Sequence, residues 1–214
     1  MTSKHKIKRE KVIDHLLTKD FAALVELAKR EPVVSSILLQ LTFALDDLLS
    51  WRAVEGLGYL AEAHPENVKI IRGRLLWLLN EDSASFGWGA PAVLGEIGRR
   101  NYSLVADISE MLFAYLDEEF SRSPMLWGLG RMGQIHPEVI REAIPQIMEF
   151  VDDVNPQVRA HAAWCLGVSG ALEGVPALSR LTDDSEAVRL YENGELRETT
   201  VGEIARQALA RLQS

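Results

Sequence analysis

Apolar residues recur with helical spacing along most of this chain. Residues 104–116 place them at positions that share one face of an α-helix, namely Leu104, Val105, Ile108, Met111, Leu112, Tyr115 and Leu116. Residues 137–151 repeat the arrangement, and Pro137 stands where a helix can begin without losing a hydrogen bond. Similar patterns predict helices at 7–19, 21–30 and 33–47. The chain is therefore predicted to be all-α.

A longer period organises these helices. Leu57, Leu94, Leu129, Leu166 and Val201 each precede a glycine and stand 35–37 residues apart. We call them the anchor residues, and the helices that contain them the anchor helices. A second helix lies between successive anchors, and such helix pairs must stack to bury their apolar faces. We expect one domain, 1–214, with a divergent N-terminal helical cap at 1–45 and repeats at 46–80, 81–117, 118–151, 152–182 and 183–214.

The last repeat departs from the two-helix pattern. Asn193-Gly194 between Tyr191 and Leu196 predicts a short β-hairpin turn, because both residues tolerate positive φ. Thr200 followed by Glu203 predicts a capping box that opens the final helix.

Residues 152–167 read DDVNPQVRAHAAWCLG. They resemble the HEAT-like repeats of the phycobilisome-lyase type, whose usual form is Asp, then Val-Arg, then Ala-x-x-Ala-Leu-Gly. Residues 188–212 look like a terminal repeat common in that family. The resemblance implies a right-handed α-solenoid, an armadillo-like superhelix of about five repeats, with the anchor helices lining its concave side. It implies no single activity, because these repeats serve many functions.

Four tryptophans lie on the side of the anchor helices away from the anchor residues. Trp127 and Trp164 stand two positions before their anchors, and Trp51 and Trp88 stand six before theirs. These positions differ by one helical turn and share a face. We expect Trp127 and Trp164 to be exposed in a groove, whereas Trp51 and Trp88 could equally pack between anchor helices. Because Trp and Arg are enriched in binding hot spots, the predicted partner-binding groove comprises Trp51, Glu55, Tyr59, Trp88, Glu96, Arg99, Trp127, Arg131 and Trp164.

Charge and composition exclude several classes of function. The net charge is −8, but residues 1–11 carry +4, which leaves −12 on the remainder. Such a body repels phosphate backbones, so general nucleic-acid binding is not expected. The single cysteine, Cys165, excludes a disulfide framework or a cysteine-based zinc site. No apolar run is long enough for a membrane span or a signal peptide, so the expected location is cytoplasmic, with no membrane association.

Motifs for catalysis are missing from the sequence. No P-loop, GxSxG or HExxH occurs, and the GxGxxG match at 128–133 falls within a predicted helix. His64 and His136 each stand two residues before a glutamate and are expected to mark helix boundaries. The acidic pairs before the anchor helices are expected to cap those helices, namely Asp46-Asp47, Glu81-Asp82, Glu118-Glu119, Asp152-Asp153 and Asp183-Asp184. We predict no catalytic residue, no cofactor and no metal.

The sequence thus favours a non-enzymatic scaffold or adaptor that binds a peptide or helix of a partner protein in its concave groove. The resemblance also leaves open a bilin lyase-type or regulatory subunit that acts on a tetrapyrrole-bearing protein. A HEAT-like DNA glycosylase is a more remote alternative, because the acidic chain lacks a basic groove for phosphates.

Overall fold

A computed structural model describes residues 3–79 and 89–213, with only the backbone of residues 3–5 and 7. The described chain is helical except for one hairpin near its C-terminal end, which confirms the predicted all-α class. The helices are α1 (Ser3–Leu17), α2 (Phe21–Arg30), α3 (Val33–Leu41), α4 (Leu48–Ala63), α5 (Pro65–Leu79), α6 (Ala90–Arg100), α7 (Ser109–Ala114), α8 (Glu119–Gly133), α9 (Pro137–Ile140), α10 (Ile144–Glu149), α11 (Pro156–Val168), α12 (Val175–Leu181) and α13 (Val201–Leu212).

The chain forms two compact units, residues 1–106 and residues 107–214, which we call unit 1 and unit 2. In unit 1 the anchor helices α4 and α6 pack side by side, with α5 between them in sequence. In unit 2 the anchor helix α11 packs against both α8 and α13. All five anchor residues are fully buried. The 35–37-residue period is thus a packing period, because each repeat places one apolar side chain at the same point of the core.

Two of the predicted helices are broken. Residues 137–151 form α9, a 3₁₀ turn, α10 and a second 3₁₀ turn. The break has a local cause, because Pro145 has no N–H and its ring excludes the helical position of the Arg141 carbonyl. Residues 102–108 form two 3₁₀ turns before α7, although this stretch contains no proline.

Among the acidic pairs, one caps its anchor helix and two others connect repeats. The Asp47 carboxylate accepts the Ser50 N–H at 2.8 Å in a capping box that opens α4. Asp153 accepts the Asn155 N–H at 2.8 Å, and its other oxygen accepts Arg122 Nη1 of the preceding repeat at 3.0 Å. Asp184 accepts Arg159 Nε at 2.8 Å in the same way. The predicted capping role is confirmed for Asp47. It is wrong for Asp153 and Asp184, because Asn155 caps α11 and Thr200 caps α13. It is also wrong for Glu118, whose side chain makes no capping hydrogen bond to α8. Glu81-Asp82 lies outside the described residues.

The predicted hairpin is confirmed. Strands β1 (Ala187–Glu192) and β2 (Glu195–Thr200) pair antiparallel, with Glu192 opposite Glu195. Asn193 and Gly194 have φ of 55° and 78°, the positive values that a type I′ turn requires. The Thr200 hydroxyl then accepts the Glu203 N–H at 3.2 Å and caps α13. None of the helices described here is both long and apolar enough to cross a membrane.

Candidate interaction surface

Strand β1 lies against the anchor helices α8 and α11 in unit 2. The Trp127 indole N–H donates to the Tyr191 carbonyl at 2.9 Å, and the Trp164 indole N–H donates to the Glu192 carboxylate at 3.1 Å. The Trp127 and Trp164 rings are stacked, with centroids 6.1 Å apart and planes 6° apart. Trp127 is 0% exposed and Trp164 is 2% exposed. The prediction that both lie exposed in an open groove is therefore wrong.

The burial of Trp164 has two physical causes. The hairpin covers it and supplies an acceptor for its N–H, so the ring is buried without an unsatisfied polar group. Gly130 on α8 also leaves room for it, since a Cβ at that position would lie 2.5 Å from Trp164 Cζ3. The indole therefore lies directly on the preceding anchor helix.

The outer edge of β1 is paired by side chains. In an antiparallel hairpin with a two-residue turn, the backbone groups of Arg189 and Tyr191 point away from β2. Gln157 Nε2 donates to the Arg189 carbonyl at 2.8 Å, and the Arg189 N–H donates to Gln157 Oε1 at 3.1 Å. Trp127 occupies the Tyr191 carbonyl, as described above. The anchor-helix face of unit 2 thus holds an extended backbone through amide and indole groups.

His161 supports this arrangement from within α11. The His161 ring is buried. Its Nδ1 lies 2.9 Å from the Ser123 carbonyl oxygen, and its Nε2 lies 3.0 Å from Gln157 Nε2. These partners assign the proton to Nδ1, with Nε2 as an acceptor. Burial lowers the pKa of His161 to about 4, only partly offset by the hydrogen bond to Ser123. The ring is therefore neutral at pH 7.

Glu192 is a site residue that no pattern in the sequence indicates. Its buried carboxylate lies 2.7 Å from Arg211 Nη2 and 3.3 Å from Arg197 Nη2, besides accepting Trp164. Burial opposes ionisation of Glu192, but the Trp164 hydrogen bond and the two guanidiniums outweigh it, and the pKa lies below its ordinary value. The Glu192 carboxylate therefore connects the hairpin to α11 through Trp164 and to α13 through Arg211.

The predicted partner-binding groove is partly accessible in unit 1. Trp51, Glu55 and Glu96 are buried, whereas Tyr59 and Arg99 are half-buried. Glu96 Oε1 lies 3.3 Å from both Arg99 Nη1 and Arg100 Nε. Glu96 packs onto α4 because Gly58 has no side chain, and a Cβ there would lie 2.6 Å from Glu96 Cγ. The expectation of an open position is therefore wrong for Glu55 and Glu96. Trp51 takes the buried alternative that the sequence left open, and the three side chains form the floor of this face.

Tyr59 is more accessible than Trp51, the other described aromatic of the predicted set in unit 1. Its ring stacks on Phe21 of α2, with centroids 4.6 Å apart, and the Arg100 guanidinium lies 3.5 Å from its centroid. Arg100 also donates to Glu62 at 2.9 Å. Arg100 was missed by the sequence argument, although it stands directly beside a predicted residue.

Two further predicted residues complete the set. Arg131 is buried in unit 2, with its guanidinium 5.3 Å from the Trp127 ring centroid, so its predicted groove position is also wrong. Trp88 lies outside the described residues. The structure thus brings Trp127, Arg131 and Trp164 together beneath β1, and it links Tyr59, Glu96 and Arg99 through Arg100. Across residues 3–79 and 89–213, no cluster of His, Cys, Asp and Glu has the geometry to hold a metal ion.

Comparison with known proteins assigns the repeat type. Residues 121–167, which run from α8 to α11, match the family model of the HEAT-like repeat. The chain is also 26% identical over 176 residues to an uncharacterized protein of Archaeoglobus fulgidus, an alignment that spans 81% of this chain and 94% of that protein. Together with the stacked two-helix repeats, this match supports a HEAT-like repeat protein.

Proposed function

We propose that the chain is a non-enzymatic protein-interaction module that binds a peptide or helix of a partner on the anchor-helix face of unit 1. The observation that supports this proposal is the binding of β1 to the anchor helices α8 and α11 of unit 2. There the same kind of face holds an extended backbone through Trp127 and Gln157. Because β1 of the chain itself covers this face in unit 2, we expect a partner to bind the corresponding face of α4 and α6 in unit 1.

The chemistry of the unit 1 face fits a polar peptide. The Tyr59 ring lies between Phe21 and the Arg100 guanidinium, and Arg99 stands beside it. Arg99 and Arg100 both donate to Glu96, and Arg100 also donates to Glu62, so the two guanidiniums are held on this face. Guanidinium groups suit carbonyl or carboxylate oxygens of a partner. Trp51, Glu55 and Glu96 support these residues from below and are not expected to touch the partner.

Reversing the charge of Arg99 is expected to abolish partner capture. The full chain, immobilised, is exposed to an extract of the source organism, and retained proteins are quantified by mass spectrometry. We expect proteins held by the wild type to fall about tenfold or more on Arg99→Glu, because a donor becomes a repulsive acceptor. Arg180→Glu on α12 is the matched control, since that arginine is exposed and pairs with Asp152 in unit 2.

Thermal melts establish that both variants fold. Equal retention of the same proteins by wild type, Arg99→Glu and Arg180→Glu would contradict the proposal, as would failure of the wild type to retain any protein.

A further inference from the structure

The outer face of α5 presents a line of exposed apolar surface. Ile70 is 75% exposed and Trp77 is 49% exposed. Gly73 stands between them, and a Cβ built there meets no heavy atom within 4 Å. Spacings of three and four residues place all three on one side of the helix. We call Ile70, Gly73 and Trp77 the α5 ridge.

The α5 ridge is not needed to hold α5 in place. The opposite side of the helix buries a full set of apolar residues, namely Val68, Ile71, Leu75 and Leu78. A surface helix ordinarily carries polar residues outside such a stripe. Exposed apolar side chains aligned on one helix face are typical of a surface that another protein covers.

The charges beside the α5 ridge are mainly positive. Lys69 and Arg74 flank it on either side, and Glu66 on the same face pairs with Lys69 at 2.7 Å. The Arg74 guanidinium lies 4.3 Å from the Trp77 ring centroid, so cation and aromatic form one surface. These three charges sum to +1, although the whole chain carries −8. This local reversal selects a partner surface that is negative.

The same charges disfavour a second copy of the chain. Two antiparallel copies of α5 that cross at Gly73 would bring their Arg74 side chains together, because Arg74 adjoins the crossing point. Like charges at such a contact are repulsive in a dry interface. The chemistry therefore points to a different chain.

We propose that the α5 ridge binds an amphipathic helix of a partner protein whose apolar side chains are flanked by carboxylates. The gap at Gly73, bordered by Ile70 and Trp77, can receive one apolar side chain of that helix, as in ridge-and-groove packing. Partner carboxylates then face Lys69 and Arg74. This surface shares no residue with the anchor-helix face, so it does not rest on the function proposed above.

A pair of synthetic peptides tests the proposal on the full chain. The probe is a fluorescein-labelled helical peptide with leucines at helical spacing flanked by glutamates, and its counterpart replaces each glutamate with lysine. Fluorescence anisotropy is expected to show that wild type binds the acidic peptide at least about tenfold more tightly than the basic one. Trp77→Ala is expected to weaken the acidic peptide by about tenfold. Arg74→Glu is expected to reverse the preference between the peptides.

Phe120→Ala is the matched control, because Phe120 is an exposed aromatic at the start of α8 in unit 2. It is expected to bind the acidic peptide as wild type does, and circular dichroism checks that each variant folds. The proposal is overturned by equal affinity for both peptides, by no binding of the acidic peptide, or by Trp77→Ala binding as tightly as wild type. Self-association lost in Trp77→Ala, or binding only to vesicles of anionic lipid, would also overturn it.

Discussion

Trp164→Ala is expected to lower the free energy of unfolding by about 3–5 kcal/mol, the usual cost of truncating a fully buried aromatic side chain. The substitution removes the stack on Trp127 and leaves a cavity above Gly130. It also removes the N–H donor of Glu192, whose carboxylate stays buried. Equilibrium unfolding in urea, followed by circular dichroism, measures the change.

Trp77→Ala is the matched control for this measurement. Trp77 is half exposed on α5, and its replacement is expected to change the free energy of unfolding by less than about 1 kcal/mol. If Trp164→Ala were as mild as Trp77→Ala, Trp164 would not be buried as described. The loss of a binding partner in a Trp164 variant would accordingly report on folding and not on contact with the partner.

Acidification is expected to destabilise unit 2 through His161. Its pKa is about 4 in the folded chain and about 6.5 when unfolded. Between these values the unfolded chain binds more protons, so the free energy of unfolding falls as pH is lowered. From pH 6.5 to 5 the expected loss is about 1.5 kcal/mol, because each unit of pH contributes at most ~1.4 kcal/mol and the unfolded His161 is only half protonated at pH 6.5.

His161→Gln removes the titrating group and keeps hydrogen-bonding atoms in the site. Urea unfolding at several pH values is expected to give a flatter pH dependence for this variant between pH 5 and 6.5. This interval avoids most of the titration of carboxylates such as Glu192, whose pKa lies below its ordinary value. Identical pH profiles for the variant and wild type would show that His161 is not neutral and buried in the folded chain.

Much of the fold can be predicted from the sequence because it depends on local chemistry. The Asn193-Gly194 turn and the Thr200 cap each follow from residues within one helical turn or one loop, and the period of the anchor residues is a repeat in the sequence itself. The Pro145 break could also have been predicted, since proline acts on the carbonyl four residues earlier. The Asp47 cap of α4 has the same local origin.

The candidate site is harder to predict because the residues that contact one another there are far apart in the sequence. The helical wheel gave the correct side of the helix for Trp127 and Trp164, but it could not show what lies on that side. Tyr191 and Glu192 lie on that side, and they follow Trp127 in the sequence by more than sixty residues. A hairpin turn predicts two paired strands and says nothing about where the pair docks. The exposure of the two tryptophans was therefore predicted wrongly, although their alignment on one face was useful.

Strand β1 occupies the anchor-helix face of unit 2 and buries Trp127 and Trp164. Hydrogen exchange of the indole N–H groups, followed by NMR and assigned with Trp→Phe variants, tests this arrangement. We predict that the N–H groups of Trp127 and Trp164 exchange at least about a hundredfold more slowly than that of Trp77, because both are bonded beneath the hairpin. Exchange of all three at the same rate would contradict this arrangement, because it would mean that the face is open.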